Sequence, residues 1–151
     1  MDEKKVKILL RGSETDEVET LWATHQGHHR YKLDNSPFYA YGVSWEDIVE
    51  VEHAKDGLLE FTRCVEKSGN RTVRVMFESP FEHPESKSVL ERISHIGCSF
   101  EGLAPYLISI NVPADVDLAK VTEYLTSLTN LKWEYVDPTY EEATGVKSCI
   151  N

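Results

Sequence analysis

Apolar and polar residues alternate with period two through most of the first half of the chain, and a helical period enters only in the second half. Residues 5–11 alternate well enough for a first strand, and a polar turn follows at 12–16. Residues 17–24 alternate again, with Val18 and Trp22 on one face and Glu17 and Glu19 on the other. Gly27 interrupts the histidine-rich run 25–29, where a hairpin turn needs positive φ. Residues 30–34 set Tyr31 and Leu33 against Arg30 and Lys32, and residues 48–53 set Val49 and Val51 against Glu50 and Glu52. Asp56-Gly57 and Ser68-Gly-Asn70 are turn signals on either side of a strand at 58–66. Residues 1–68 therefore predict a small antiparallel β-sheet or partial barrel.

The second half has another rhythm. Residues 71–78 read as a strand with Val73, Val75 and Phe77 on one face. A helix begins between Pro84 and Ser88, where Ser88 and Glu91 have capping-box spacing. Val89, Leu90, Ile93 and Ile96 form its apolar stripe, and Gly97 is its stop. Strands at about 98–104 and 106–113 follow around Pro105. A helix at about 116–129 is capped by Asp115 or Asp117, buries Leu118, Val121, Leu125 and Leu128, and is followed by Asn130 as a left-handed stop. Leu131, Trp133 and Tyr135 share one face of a last strand, which Pro138 ends. Strand, helix, strand, strand, helix, strand is the ferredoxin-like βαββαβ order, here over residues 69–140, with 141–151 as a tail. The class is α+β, with both units in one compact fold.

Composition narrows the partners. The 151 residues are 40% hydrophobic and 28% charged, with mean hydropathy −0.40, as in a folded globular chain. Lys plus Arg is 16 and Asp plus Glu is 26, so the net charge is −10 and the pI is about 5.0. Both halves share it: −5 over residues 1–68, −4 over 69–140 and −1 in the tail. Such a surface repels a phosphate backbone, which argues against nucleic acid and favours a basic protein partner. No membrane-length apolar run and no signal-peptide core are present, and the odd cysteine count (Cys64, Cys98, Cys149) does not suit a disulfide framework; a cytoplasmic location is expected.

Candidate chemistry is sparse. His25, His28, His29 and Asp34, joined by His53 or His95, offer zinc-ligand types, but the paired spacing on a second arm is missing, so no metal is assigned. There is no G-x-S-x-G elbow, no phosphate loop and no G-x-G-x-x-G, so no cofactor is assigned. Cys64 and Cys98 read as small buried hydrophobes rather than nucleophiles, although His95 lies three residues from Cys98. The RNA-binding aromatic pattern is absent from residues 106–112.

The densest signal lies in residues 31–51, which hold five aromatic residues and a Pro-Phe pair. Large aromatics are mostly buried, so core is the preferred reading. A partner-facing role for Tyr39, Tyr41 and Trp45 is the other. Asp34-Asn-Ser-Pro37 suits a tight turn in which Asp34 or Asn35 bonds the backbone ahead. The run Leu33-Asp-Asn-Ser-Pro-Phe-Tyr-Ala-Tyr-Gly-Val43, with Asp47 and Val49 after it and Glu19-Thr-Leu-Trp22 before it, resembles a bacterial protein family known only as a domain of unknown function. The resemblance covers most of residues 5–140 and implies a small bacterial cytosolic protein. It brings no catalytic residues.

Three functions follow as expectations. The first is a non-enzymatic acidic binding protein, specifically an immunity protein that neutralises a basic, nuclease-type toxin domain. Glu17, Glu19, Glu46, Asp47, Glu50, Glu52, Asp56 and Glu60 would then be its contact residues, together with Trp45. The second is a small-ligand regulatory module, with the turn at 102–105 as a contact. The third is an enzyme with a histidine and cysteine centre.

Overall fold

The computed structural model describes residues 4–11, 17–54, 56–103 and 105–147. The alternating first half closes on itself. Strands β1 (Lys5–Arg11), β2 (Val18–His25), β3 (Arg30–Leu33), β4 (Ile48–His53) and β5 (Leu59–Glu66) form a closed barrel. Successive strands pair antiparallel, and a short parallel contact of Ile8 with Leu59 and Leu9 with Glu60 joins the ends. Closure removes the exposed edges that a partial barrel would leave. Ile8, Leu10, Leu21, Leu33, Val49 and Val51 fill the interior. Gly27 and Gly57 take positive φ (103° and 81°) at the two hairpin turns expected for them. The turn expected at 12–16 lies outside the described residues.

The second half forms a separate layer. β6 (Arg71–Phe77), α1 (Pro84–Ile96), β7 (Ser99–Leu103), β8 (Leu107–Val112), α2 (Leu118–Thr126) and β9 (Leu131–Asp137) give an antiparallel sheet in the order β7-β8-β6-β9. Val73, Val75, Phe77, Ile108, Ile110 and Val112 face Val89 and Ile93 of α1 and Val121 and Leu125 of α2 in one core. Both helices thus cover one face. The class is α+β, as expected.

Several local expectations change. α1 begins at Pro84, the earlier of its two expected bounds, but its N-cap is His83, whose Nδ1 accepts from the Glu85 amide at 3.2 Å, and Ser88 sits within the helix rather than capping it. Asp117 caps α2 as one of the two candidates, but the helix ends at Ser127 in a right-handed conformation rather than at Asn130. Residues 141–151 were expected as a featureless tail, yet Tyr140–Thr144 form a short helix, α3. Thr139 and Glu142 cap it reciprocally, a local signal that periodicity over five residues is too short to show. No helix among the described residues is long and apolar enough to cross a membrane.

Candidate functional site at the seam between barrel and sheet

The sheet face turned away from the helices carries three cross-strand rows. The first is Leu103, Leu107, Met76 and Lys132; the second is Glu101, Ser109, Arg74 and Glu134; the third is Ser99, Asn111, Thr72 and Asp137. The first row is open, with Met76 47% exposed. In the other two, Arg74, Ser109, Thr72, Asn111 and Asp137 are buried while Glu134 and Ser99 stay exposed; residues 34–47, the aromatic segment between β3 and β4, bond to these rows and form the joint between the units.

The second row clamps the segment from below. Arg74 is only 3% exposed. Its guanidinium donates to the carbonyls of Ala40 at 2.9 Å and Tyr39 at 3.4 Å and to the Glu134 carboxylate at 3.0 Å, and it lies 4.5 Å from the Tyr41 ring centroid. Tyr41 donates to Glu134 at 2.9 Å. Ser109 Oγ donates to the Pro37 carbonyl at 2.8 Å. Glu101 accepts from the Ser36 amide at 2.5 Å and from Asn35 Nδ2 at 2.9 Å. Asn35 in turn accepts from the Trp22 amide at 2.8 Å, reaching back to β2 rather than ahead along its own turn.

The barrel clamps the segment from above. The Glu19 carboxylate accepts the backbone amides of Phe38 at 3.0 Å, Tyr39, and Ala40 at 3.1 Å. The two faces of β2 divide as expected, and the Glu19 face is the inward one. Leu21 and Ala23 belong to the Glu19 side and are buried, whereas Val18 and Trp22 are exposed, with Lys7 5.0 Å above the Trp22 ring. A carboxylate that collects three amides turns inward without an unsatisfied charge. Glu19→Gln keeps the shape and removes the charge. We expect a stability loss of about 1–2 kcal/mol, read by urea denaturation; an unchanged midpoint would mean that Glu19 does not hold the segment.

The third row meets a polar hub. Lys67 Nζ donates to Asp47 Oδ2 and Asp137 Oδ2, both at 2.7 Å, and to the Gly42 carbonyl at 3.0 Å. Asp47 is fully buried and also accepts the amides of Ser44 at 2.9 Å and Ser68 at 2.8 Å. Ser44 Oγ lies 2.6 Å from both Asp137 Oδ2 and Thr72 Oγ1. Burial disfavours the Lys67 charge, but its bonds to Asp137 and Asp47 outweigh that and raise its pKa above the ordinary lysine value. Lys67 is therefore a cationic strut, not a free amine nucleophile.

The thiols are similarly unreactive. Burial, then the Asp47 charge, pushes the Cys64 pKa up, and its Sγ lies 3.8 Å from Asp47 Oδ2. Burial pushes Cys98 up to about 11. Both stay protonated at neutral pH; Cys149 lies outside the described residues. His25 turns its ring to the His28 carbonyl at 2.7 Å, and among the described residues no three metal-ligating side chains converge.

The nine expected contact residues do not share one surface role. Glu19, Asp47 and Trp45 belong to the seam. Glu46 is half-buried, with positive φ of 69°, and accepts from Asn70 Nδ2 at 3.4 Å. Glu50 is paired with Arg63 at 3.1 Å, and Glu60 with Arg11 at 2.7 Å. Glu17, Glu52 and Asp56 are exposed. Sequence reasoning missed Arg74, Glu101, Asn111, Asp137 and Lys67. Of the turn at 102–105, Gly102 lies where an added Cβ would come within 2.9 Å of the Phe81 ring, and Ala104 lies outside the described residues.

Beside the hub, a cavity of about 220 Å³ opens at the seam, lined by Asp34, Ser36, Trp45, Ser99, Glu101 and Asn111. A contact with Lys5 at 2.5 Å holds the Asp34 carboxyl below the usual range.

Comparison with solved structures places the same architecture elsewhere. A hypothetical protein from Neisseria gonorrhoeae superposes with a TM-score of 0.71 over 90% of this chain and 95% of that one, at 18% identity. At that identity the likeness concerns the fold alone. No curated protein matches. A family model matches residues 19–135, which begin at the Glu19 clamp and include the whole segment 34–47 and the sheet beneath it except the last two residues of β9, Val136 and Asp137. The chain belongs to that family, the domain of unknown function DUF4265.

Proposed function

We propose that this protein is a non-enzymatic acidic binding protein of the bacterial cytoplasm that docks a basic protein, acting as an immunity protein toward a nuclease-type toxin domain. The observation that carries this reading is the outer face of the β4–β5 hairpin. Glu52 and Glu60 sit directly opposite each other, with Glu50 beside them and Asp56 in the connecting turn. Like charges facing across a ladder destabilise the sheet. Arg11 offsets Glu60 and Arg63 offsets Glu50, while Glu52 is exposed with no cation against it among the described residues. A face that keeps such a charge, on a chain of net charge −10, suits a cationic surface that must itself bind phosphates. On this reading the β6–β9 unit is ferredoxin-like, which its sheet order and one-sided helices support.

Reversing Glu50 and Glu52 to Lys tests the site. Stopped-flow association with the basic partner slows by about tenfold or more at low salt and loses much of its salt dependence. An unchanged rate and salt slope would remove the hairpin from the contact. A second reading, a small-ligand module, draws on the seam cavity.

A further inference from the structure

The third row of the sheet ends in an acceptor that lacks a donor. Asn111 is 4% exposed, and its Oδ1 has no hydrogen-bond partner. A chain of bonds sets the orientation of this amide. The Trp45 carbonyl can only accept, so Asn70 turns Nδ2 toward it at 3.0 Å. Asn70 Oδ1 then faces Asn111 Nδ2 at 3.5 Å, which leaves the carbonyl end of Asn111 unfilled. A buried acceptor in this state costs about 1–3 kcal/mol, and few persist in native proteins without a reason.

Asn111 lines the seam cavity with Asp34, Glu101 and the Trp45 side chain. Glu101 uses its two oxygens for one bond each, so further lone pairs remain. Asp34 is ionised, its Oδ2 paired with Lys5 and its Oδ1 accepting from the Trp45 indole Nε1 at 3.4 Å. The side-chain groups are thus weighted toward acceptors and negative charge, and an indole stands beside them. Such a lining rejects phosphates and carboxylates and suits a donor-rich cation, with the indole adding a cation–π contact. At ~30 Å³ per water, the cavity holds the volume of about seven waters, which fits a short chain with a charged head.

We infer that the seam cavity binds a small hydrogen-bond-donating cation, a guanidinium or primary ammonium group on a short chain. The head donates to Asn111 Oδ1 and to the carboxylates of Asp34 and Glu101, and the stem lies along Trp45. The group is carried either by a free metabolite-sized molecule or by an Arg or Lys side chain of a docked protein. The inference uses none of the hairpin carboxylates, so it stands or falls apart from the partner reading above.

Calorimetric titration of the full chain tests it with three probes: argininamide and citrullinamide, both acetylated on the α-nitrogen so that the urea compound is neutral, and a capped arginine-containing peptide. Argininamide is expected to bind at least about tenfold more tightly than citrullinamide. Asn111→Leu, close in volume and without the unfilled acceptor, weakens argininamide about tenfold or more while leaving the melting temperature level or higher. Binding of the peptide alone, with the same dependence on Asn111, also supports the inference and assigns the cation to a protein side chain. If Asn111→Leu fails to fold, Trp45→Leu carries the test with the same expected loss. No binding of argininamide or peptide, equal binding of citrullinamide, or affinity untouched by the folded variants overturns it.

Discussion

Replacing Lys67 by Met lowers the unfolding free energy by about 3–5 kcal/mol, the largest effect expected of any single change at the seam. The reason is what the lysine leaves behind. Asp47 is fully buried and Asp137 nearly so, and both place Oδ2 2.7 Å from Nζ. Without the ammonium, two carboxylates share a site where, among the described residues, Ser44, Ser68 and a weak contact from the Cys64 thiol remain to hold them. Methionine keeps most of the stem, so the loss reports charge and hydrogen bonding rather than volume. Asp137→Asn in the Lys67→Met background recovers part of the loss, because it removes one of the two stranded charges; a double-mutant cycle by urea denaturation reads this. The pH dependence has a definite sign. The folded-state pKa of Lys67 lies above the ordinary value of 10.5, so its contribution is complete below that value and fades as pH rises through the higher folded one. Lys67→Met flattens this alkaline limb. A loss below about 1 kcal/mol would place Lys67 among ordinary surface ion pairs.

Arg74→Met costs about 2–4 kcal/mol and loosens residues 34–47 specifically. The guanidinium is buried beneath the segment and satisfies the carbonyls of Ala40 and Tyr39, which lie where water cannot replace it. Hydrogen exchange separates this from general destabilisation. Gly42, whose amide bonds the Val136 carbonyl at 2.8 Å, loses protection before the β1–β2 ladder does. Uniform loss across barrel and sheet, or none, would contradict a clamping role.

Much of the fold was legible because its signals are local. Glycines marked the hairpins, apolar stripes marked the helices, and Val73, Val75 and Phe77 declared the buried face of β6. The seam was not legible because its bonds join distant positions. Glu19 meets residues 38–40, Glu101 meets residues 35 and 36, and Lys67 meets Asp137 seventy residues away. In a linear reading each of these charges looks solvated, since nothing nearby reveals what will face it. Arg74 carried a usable hint: a charge centred in a strand, between two valines. The aromatic segment was expected chiefly as core, yet Phe38, Tyr39 and Trp45 are half-buried and Tyr41 is exposed. Its backbone, more than its rings, joins the two units.

The partner reading is tested most directly by a tagged pull-down from native cells at low and high salt, read by mass spectrometry. The account predicts a stoichiometric basic protein at low salt that leaves as salt rises, and less of it on the Glu50→Lys/Glu52→Lys variant. A protein recovered alone at both salts, or with a partner that is acidic and indifferent to salt, would contradict it.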